Sequence, residues 1–151
     1  MRGVDPARLM FAPKVEATLH LRRLCCAELM LDTLPCGMHT TASDALWMGV
    51  PVVTCRGKSF AGRVAAGLLT ALECPELIAE RMEEYEALAL ALAQDPARLR
   101  ALKDKLAGKR LSAPLFDAAR FCRHLEQAYV TMIEIARPGE APRAFDVAVQ
   151  P

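Results

Sequence analysis

Residues 32–53 read "DTLPCGMHTTASDALWMGVPVV". An apolar run, "ELMLD" (residues 28–32), stops at a Pro/Gly turn; His39, Thr40, Thr41 and Asp44 follow; then "PVVTC" (residues 51–55) is apolar again. Both flanking runs are apolar throughout rather than alternating, which fits buried strands covered on both faces. Between them, residues 41–48 read as a helix of about two turns, closed by Gly49 at a C-cap position.

The pattern extends in both directions. Upstream, "RLMFA" (residues 8–12) is a strand candidate ended by Pro13, and residues 16–26 carry a helical stripe. Downstream, "RGKS" (residues 56–59) turns into "FAGRVAAGLLTAL", a helix whose small residues allow close approach to a sheet. "ELIA" (residues 76–79) is a short fourth strand candidate. Strands alternating with helices over short links argue for an α/β fold, a parallel sheet with right-handed crossovers, over residues 1–80. Residues 81–137 read as helices, with a break at Asp95–Pro96 where Asp95 can cap and Pro96 can open the next helix. The tail, residues 138–151, holds three prolines and is expected to be mobile.

Three or four strands make a narrow sheet, since about five or six are usual. The chain therefore reads as one part of a larger unit, with an open sheet edge and apolar faces that invite association.

Composition removes several function classes. The 151 residues are 53% apolar and 25% charged with a net charge of +1, and only 5% are aromatic. That balance offers no electrostatic or stacking surface for nucleic acid, and none for an anionic membrane. No secretory h-region follows the start, and no run approaches the roughly 20 apolar residues of a membrane span. A cytoplasmic location is expected. The six cysteines (Cys25, Cys26, Cys36, Cys55, Cys74 and Cys122) form no CxxC pair and have no accompanying histidine spacing. No metal site is expected, and the thiols read as small buried residues. A redox role for adjacent Cys25 and Cys26 is the remaining alternative.

The polar cluster has two readings from spacing alone. Free N–H groups and the positive end of the macrodipole favour a phosphate at a helix start, with Thr40 and Thr41 adding hydroxyls and Gly37 letting the loop approach a ligand. Asp44, one turn in, can accept from vicinal hydroxyls such as those of a ribose. The other reading is ordinary capping, because Thr at the cap and Asp in the first turn are common helix-start residues. "RGKS" lacks P-loop spacing, and no GxGxxG is present. His20 lies on the helix after the first strand candidate, while Arg22 and Arg23 read as a solvated face. No complete set of catalytic residues stands out.

Taken together, "LMLDTLPCGMHTTASDALWMGVPVVT", "GKSFAGRVAAGLL", "CPELIAE" and "SAPLFDAARFCRHLE" resemble the C-terminal catalytic half of the O-linked N-acetylglucosamine transferases over residues 8–137. These form glycosyltransferase family 41, with the plant SPINDLY proteins and bacterial tetratricopeptide-repeat relatives. The resemblance implies a partial Rossmann-like C-terminal lobe of a GT-B fold that holds UDP. His39, Thr40 and Thr41 match the family's diphosphate loop, and Asp44 matches its ribose-binding aspartate. His20 and Arg23 match the first and last positions of an element beside the uracil. Ala17 stands where animal members place a lysine, and Lys14 does not inherit that role.

The resemblance also implies that the catalytic lysine, a histidine of the other lobe and the repeats lie upstream of this chain, so no catalytic residue is assigned within it. No metal or cofactor is implied. The expected partners are a UDP-sugar, protein acceptors, and the N-terminal lobe or a repeat-bearing polypeptide. The implied function is the donor-binding portion of a protein O-GlcNAc transferase acting on Ser/Thr, with UDP-N-acetylglucosamine as donor. The alternatives are a GDP-fucose-using SPINDLY-like part and a non-catalytic nucleotide-binding or interaction module.

Overall fold

Val52–Cys55 is a run of β-branched and small apolar residues, and all four are buried as the central strand, β2. The computed structural model describes residues 3–148 of the chain. Met30–Leu31 (β1) pairs parallel with β2 on one side, placing Met30 opposite Val52. Ile78–Ala79 (β3) pairs parallel on the other, placing Thr54 opposite Ile78. The spatial order β1-β2-β3 follows the chain. This is the α/β class the sequence implied, with three parallel strands.

Among the described residues six α-helices complete it: α1 (Ala17–Leu24), α2 (Thr40–Trp47), α3 (Val64–Ala71), α4 (Met82–Ala93), α5 (Pro96–Lys109) and α6 (Ala118–Ala136). Both α2 and α3 pack on β2 and on each other, as right-handed crossovers between successive parallel strands would arrange them. Strand side chains alternate between faces, so four consecutive buried residues need cover on both sides. The second cover is α4, which lies across β2 and β3. Leu46, Val53, Leu69, Leu72, Leu77 and Leu92 fill the space between these layers.

Several local signals act as read. Ala65 and Ala66 let α3 sit close to the sheet and are fully covered. The Asp95 carboxylate accepts from the Arg98 amide at 2.9 Å, with Pro96 opening α5. Gly49 follows the end of α2 at φ +78°, a conformation that residues with a side chain rarely adopt. From α5, Lys103 reaches Glu28 at 2.6 Å and Lys105 reaches Glu76 at 2.6 Å, tying that helix to the loops before β1 and β3.

Four expectations need correction. Residues 8–12 form no strand. Pro6–Arg8 makes one 3-10 turn, after which Met10 and Phe11 stand 91% and 94% exposed. A strand requires a neighbouring strand for its N–H and C=O groups; among the described residues none pairs with this run, and the Arg8 and Leu9 amides turn back to Asp5 and Pro6 instead. Next, α2 begins at Thr40 rather than Thr41, with His39 as its N-cap. The helix expected from Phe60 starts only at Val64, because the preceding residues close a loop on themselves. Finally, of the six thiols only Cys55 and Cys74 are buried; Cys25, Cys26, Cys36 and Cys122 are exposed, since they fall on turns, a loop and the outer side of α6.

The long final helix is preceded by a 3-10 turn, Pro114–Phe116, and is capped by Asp117. Of the tail, residues 149–151 lie outside the described residues. The described part has no regular element, and its Pro142 and Phe145 line a cavity with Met132, Ile135 and Ala136 of α6.

Candidate functional site

An acid that ends an apolar strand must be paired or stay in water, and Asp32 is paired. It is 5% exposed. Its Oδ2 accepts from the Thr54 hydroxyl at 2.6 Å, and its Oδ1 accepts from the amides of Thr33 at 2.8 Å and Met38 at 2.5 Å. Residues 33–38 therefore wrap around one carboxylate. From α4, the Tyr85 hydroxyl donates to the Asp32 carbonyl at 2.8 Å. Burial, and then the nearby Asp32 charge, push the Tyr85 phenol above its usual range, so it remains a donor.

A second loop, residues 56–63, braces the first. The Gly57 amide donates to the Gly62 carbonyl at 2.8 Å, and the Gly62 amide donates to Ser59 Oγ at 3.1 Å. The two loops meet at Gly37, whose amide donates to the Ala61 carbonyl at 3.0 Å. A Cβ on Gly37 would stand 3.0 Å from both the Ala61 oxygen and Asp32 Oδ2, so only glycine fits without a shift.

These loops present the start of α2. His39 is its N-cap, yet the His39 side chain makes no capping bond. Instead, Nε2 lies 3.3 Å from the Ala61 carbonyl, and the ring stands edge-on to Phe60 at 6.0 Å and 88°. The amides of Ala42 and Ser43 both donate to the His39 carbonyl at 3.1 Å. The amides and hydroxyls of Thr40 and Thr41 meet no acceptor among the described residues, and both side chains are exposed. Capping by a threonine is therefore not what forms, because Thr40 and Thr41 are the first two helical residues. Open amides, two hydroxyls and the positive helix end, at the C-terminal edge of a parallel sheet, are a donor set that can accept an anion. Asp44 is half-buried one turn further in, and its carboxylate has no partner among the described residues.

The other matched residues sit on α1. Glu16 caps this helix: its carboxylate accepts from the Thr18 and Leu19 amides at 3.0 and 2.5 Å, which hold it below the usual carboxylate range. One turn on, Arg23 Nη2 is 2.9 Å from His20 Nδ1, while Arg23 Nη1 donates to the Pro13 carbonyl at 2.8 Å. Arg23 is thus half-buried and engaged, whereas Arg22 is on the solvated face. Ala17 opens α1, and Lys14 is exposed ahead of it. Because α1 packs on α2, the His20–Arg23 pair and the His39–Thr41 junction stand on adjacent helices.

Asp32, Thr54, Tyr85 and Ala61 were not singled out from the sequence. Two signals were present: an acid closing an apolar strand, and a threonine inside "PVVTC". The Tyr85 contact, 53 positions away, had none. Among the described residues, no group of three or more His, Cys, Asp or Glu could hold a metal ion, and no helix is long and apolar enough to cross a membrane.

Comparison with known proteins supplies the family. A family model described as Glycosyl transferase family 41 matches residues 1–125. A probable UDP-N-acetylglucosamine–peptide N-acetylglucosaminyltransferase SEC of Arabidopsis thaliana is 37% identical over 97% of this chain, which spans 15% of that protein. The UDP-N-acetylglucosamine–peptide N-acetylglucosaminyltransferase of Caenorhabditis elegans is 40% identical over 83% of the chain and 11% of its own length. Among solved structures, a point variant of the Thermobaculum terrenum O-GlcNAc transferase superposes with a TM-score of 0.81 at 37% identity, covering 87% of this chain and 25% of that one. The chain thus spans a quarter or less of the length of these relatives, and with the α/β lobe described above it belongs to glycosyltransferase family 41.

Proposed function

We propose that this chain is the donor-binding part of a protein O-glycosyltransferase, seating the diphosphate of UDP-N-acetylglucosamine at the start of α2. The observation that carries this reading is the uncapped N-terminus of α2, with the Thr40 and Thr41 amides and hydroxyls open at the sheet's C-terminal edge. In this reading the loop of His39, Thr40 and Thr41 seats the diphosphate through the Thr40 and Thr41 amides and hydroxyls, Asp44 accepts from the ribose hydroxyls, and His20 with Arg23 flank the base. The donor is taken from the names of the relatives, which are UDP-N-acetylglucosamine-dependent peptide transferases.

The chemistry follows from charge. When an acceptor Ser or Thr hydroxyl attacks the anomeric carbon, negative charge grows on the departing UDP. Fixed amide dipoles and hydroxyl donors stabilise that charge more as it grows, which lowers the barrier rather than only tightening the ground state.

Calorimetric titration of UDP into the chain tests the reading. Binding is expected, with Thr41→Ala and Asp44→Ala each weakening it about tenfold, roughly one lost hydrogen bond to a charged or hydroxyl group. UMP, lacking the second phosphate, should bind more weakly than UDP. A wild-type chain that gives no signal overturns the proposal, and preferred binding of GDP redirects it to a GDP-sugar. Sugar transfer to an acceptor peptide, with and without an upstream family polypeptide, separates the donor-binding part of an enzyme from a non-catalytic module.

A further inference from the structure

We propose that Phe60 is a positioning residue whose ring, together with the Ala61 carbonyl, holds the His39 imidazole off the start of α2 and so keeps the anion seat open. The inference rests on the reading of α2 as a diphosphate seat, and extends it to a residue outside the matched set.

An N-cap side chain ordinarily folds back onto the first free amides of its helix. His39 occupies the N-cap, and an imidazole nitrogen can accept such a bond, but this ring is turned away. Two contacts account for that. The Ala61 carbonyl is only an acceptor, so a Nε2 lying 3.3 Å from it carries the proton and donates. The Phe60 ring meets the imidazole at 88°, the perpendicular arrangement that aromatic quadrupoles favour.

Phe60 itself is 75% exposed, so it adds little to the core. Its loop is nevertheless rigidly placed. The Arg63 amide donates to the Phe60 carbonyl at 3.0 Å, Gly57 is bonded to Gly62, and a Cβ on either glycine would come within about 3.1 Å of the other's backbone. An exposed aromatic on a braced loop, touching the N-cap side chain next to the free amides, acts on that side chain rather than on folding. With Phe60 removed, the imidazole is free to swing over the Thr40 and Thr41 amides and compete with the diphosphate.

Three readouts test this in the chain as it stands. Phe60→Ala should weaken UDP binding about two- to tenfold, the scale of one aromatic pair, while the thermal midpoint stays within error of wild type or rises. Phe60→Tyr, which keeps the ring, should restore the affinity. Long-range proton–nitrogen NMR should report His39 protonated at Nε2 in the ligand-free wild type and redistributed in Phe60→Ala. Equal UDP affinity in Phe60→Ala and wild type overturns the proposal, and so does a loss of affinity matched by a loss of folding. A wild type that does not bind UDP defeats the diphosphate reading. In that case the His39 spectra still judge the placement of the ring, and a tautomer unchanged by Phe60→Ala overturns it.

Discussion

Two runs in this chain look almost alike as sequence, "RLMFA" at residues 8–12 and "ELMLD" at residues 28–32, and they meet opposite fates. Met30 and Leu31 become a strand because β2 lies alongside. The Met30 amide donates to the Pro51 carbonyl at 2.8 Å, and the Asp32 amide donates to the Val53 carbonyl at 2.9 Å. Leu9, Met10 and Phe11 find no such strand neighbour among the described residues and stay exposed. The apolar patterns are alike; the partner differs. A strand is a property of a pair, and the polar residue that ends it is organised only where the pair exists.

The strongest way to break the contrast is to remove the centre of the ordered side. Asp32→Ala would strand the Thr54 hydroxyl and two amides in a closed site, and should cost about 2–4 kcal/mol. Urea unfolding would read this as a lower midpoint. A midpoint equal to wild type would show that the carboxylate is not what orders residues 33–38.

Tyr85→Phe removes one bond to the same element and should cost about 1 kcal/mol near neutral pH. It also carries a pH signature. The folded state holds the Tyr85 proton more tightly than the unfolded chain does, so stability falls as pH rises through the unfolded value of about 10 toward the higher folded one. The Phe variant should lack that share of the alkaline decline, and parallel stability–pH curves for the two proteins would contradict the assignment.

The smallest effect is expected on the unpaired run. Met10→Ser with Phe11→Ser should change stability by no more than about 0.5 kcal/mol, because neither side chain is buried. The substitution should reduce self-association seen by light scattering, since these side chains and the apolar face of α6 at Phe121, Tyr129 and Ile133 are exposed. Hydrogen exchange sharpens the same comparison: the amides of residues 10–12 should exchange freely while those of β2 are protected.

Much of the architecture was legible in advance because its signals are local. Continuous apolar runs marked β2 and β3, Asp95–Pro96 marked the joint between α4 and α5, and Gly49 marked the end of α2. The polar cluster was legible as a candidate site for the same reason, since His39, Thr40, Thr41 and Asp44 fall within six positions. The helix cap was misplaced by one or two residues, because the alternatives differ only in which residue first takes helical backbone angles.

What the sequence alone determined is the alternation of strand and helix, the family, and the residue types at the start of α2, all carried by short-range pattern and motif order. What only the tertiary structure decided is which apolar run becomes a strand, and that Asp32, Thr54, Tyr85 and Ala61 brace the loops around α2. Those outcomes depend on hydrogen-bond partners up to 53 positions apart, and no local spacing encodes such a meeting.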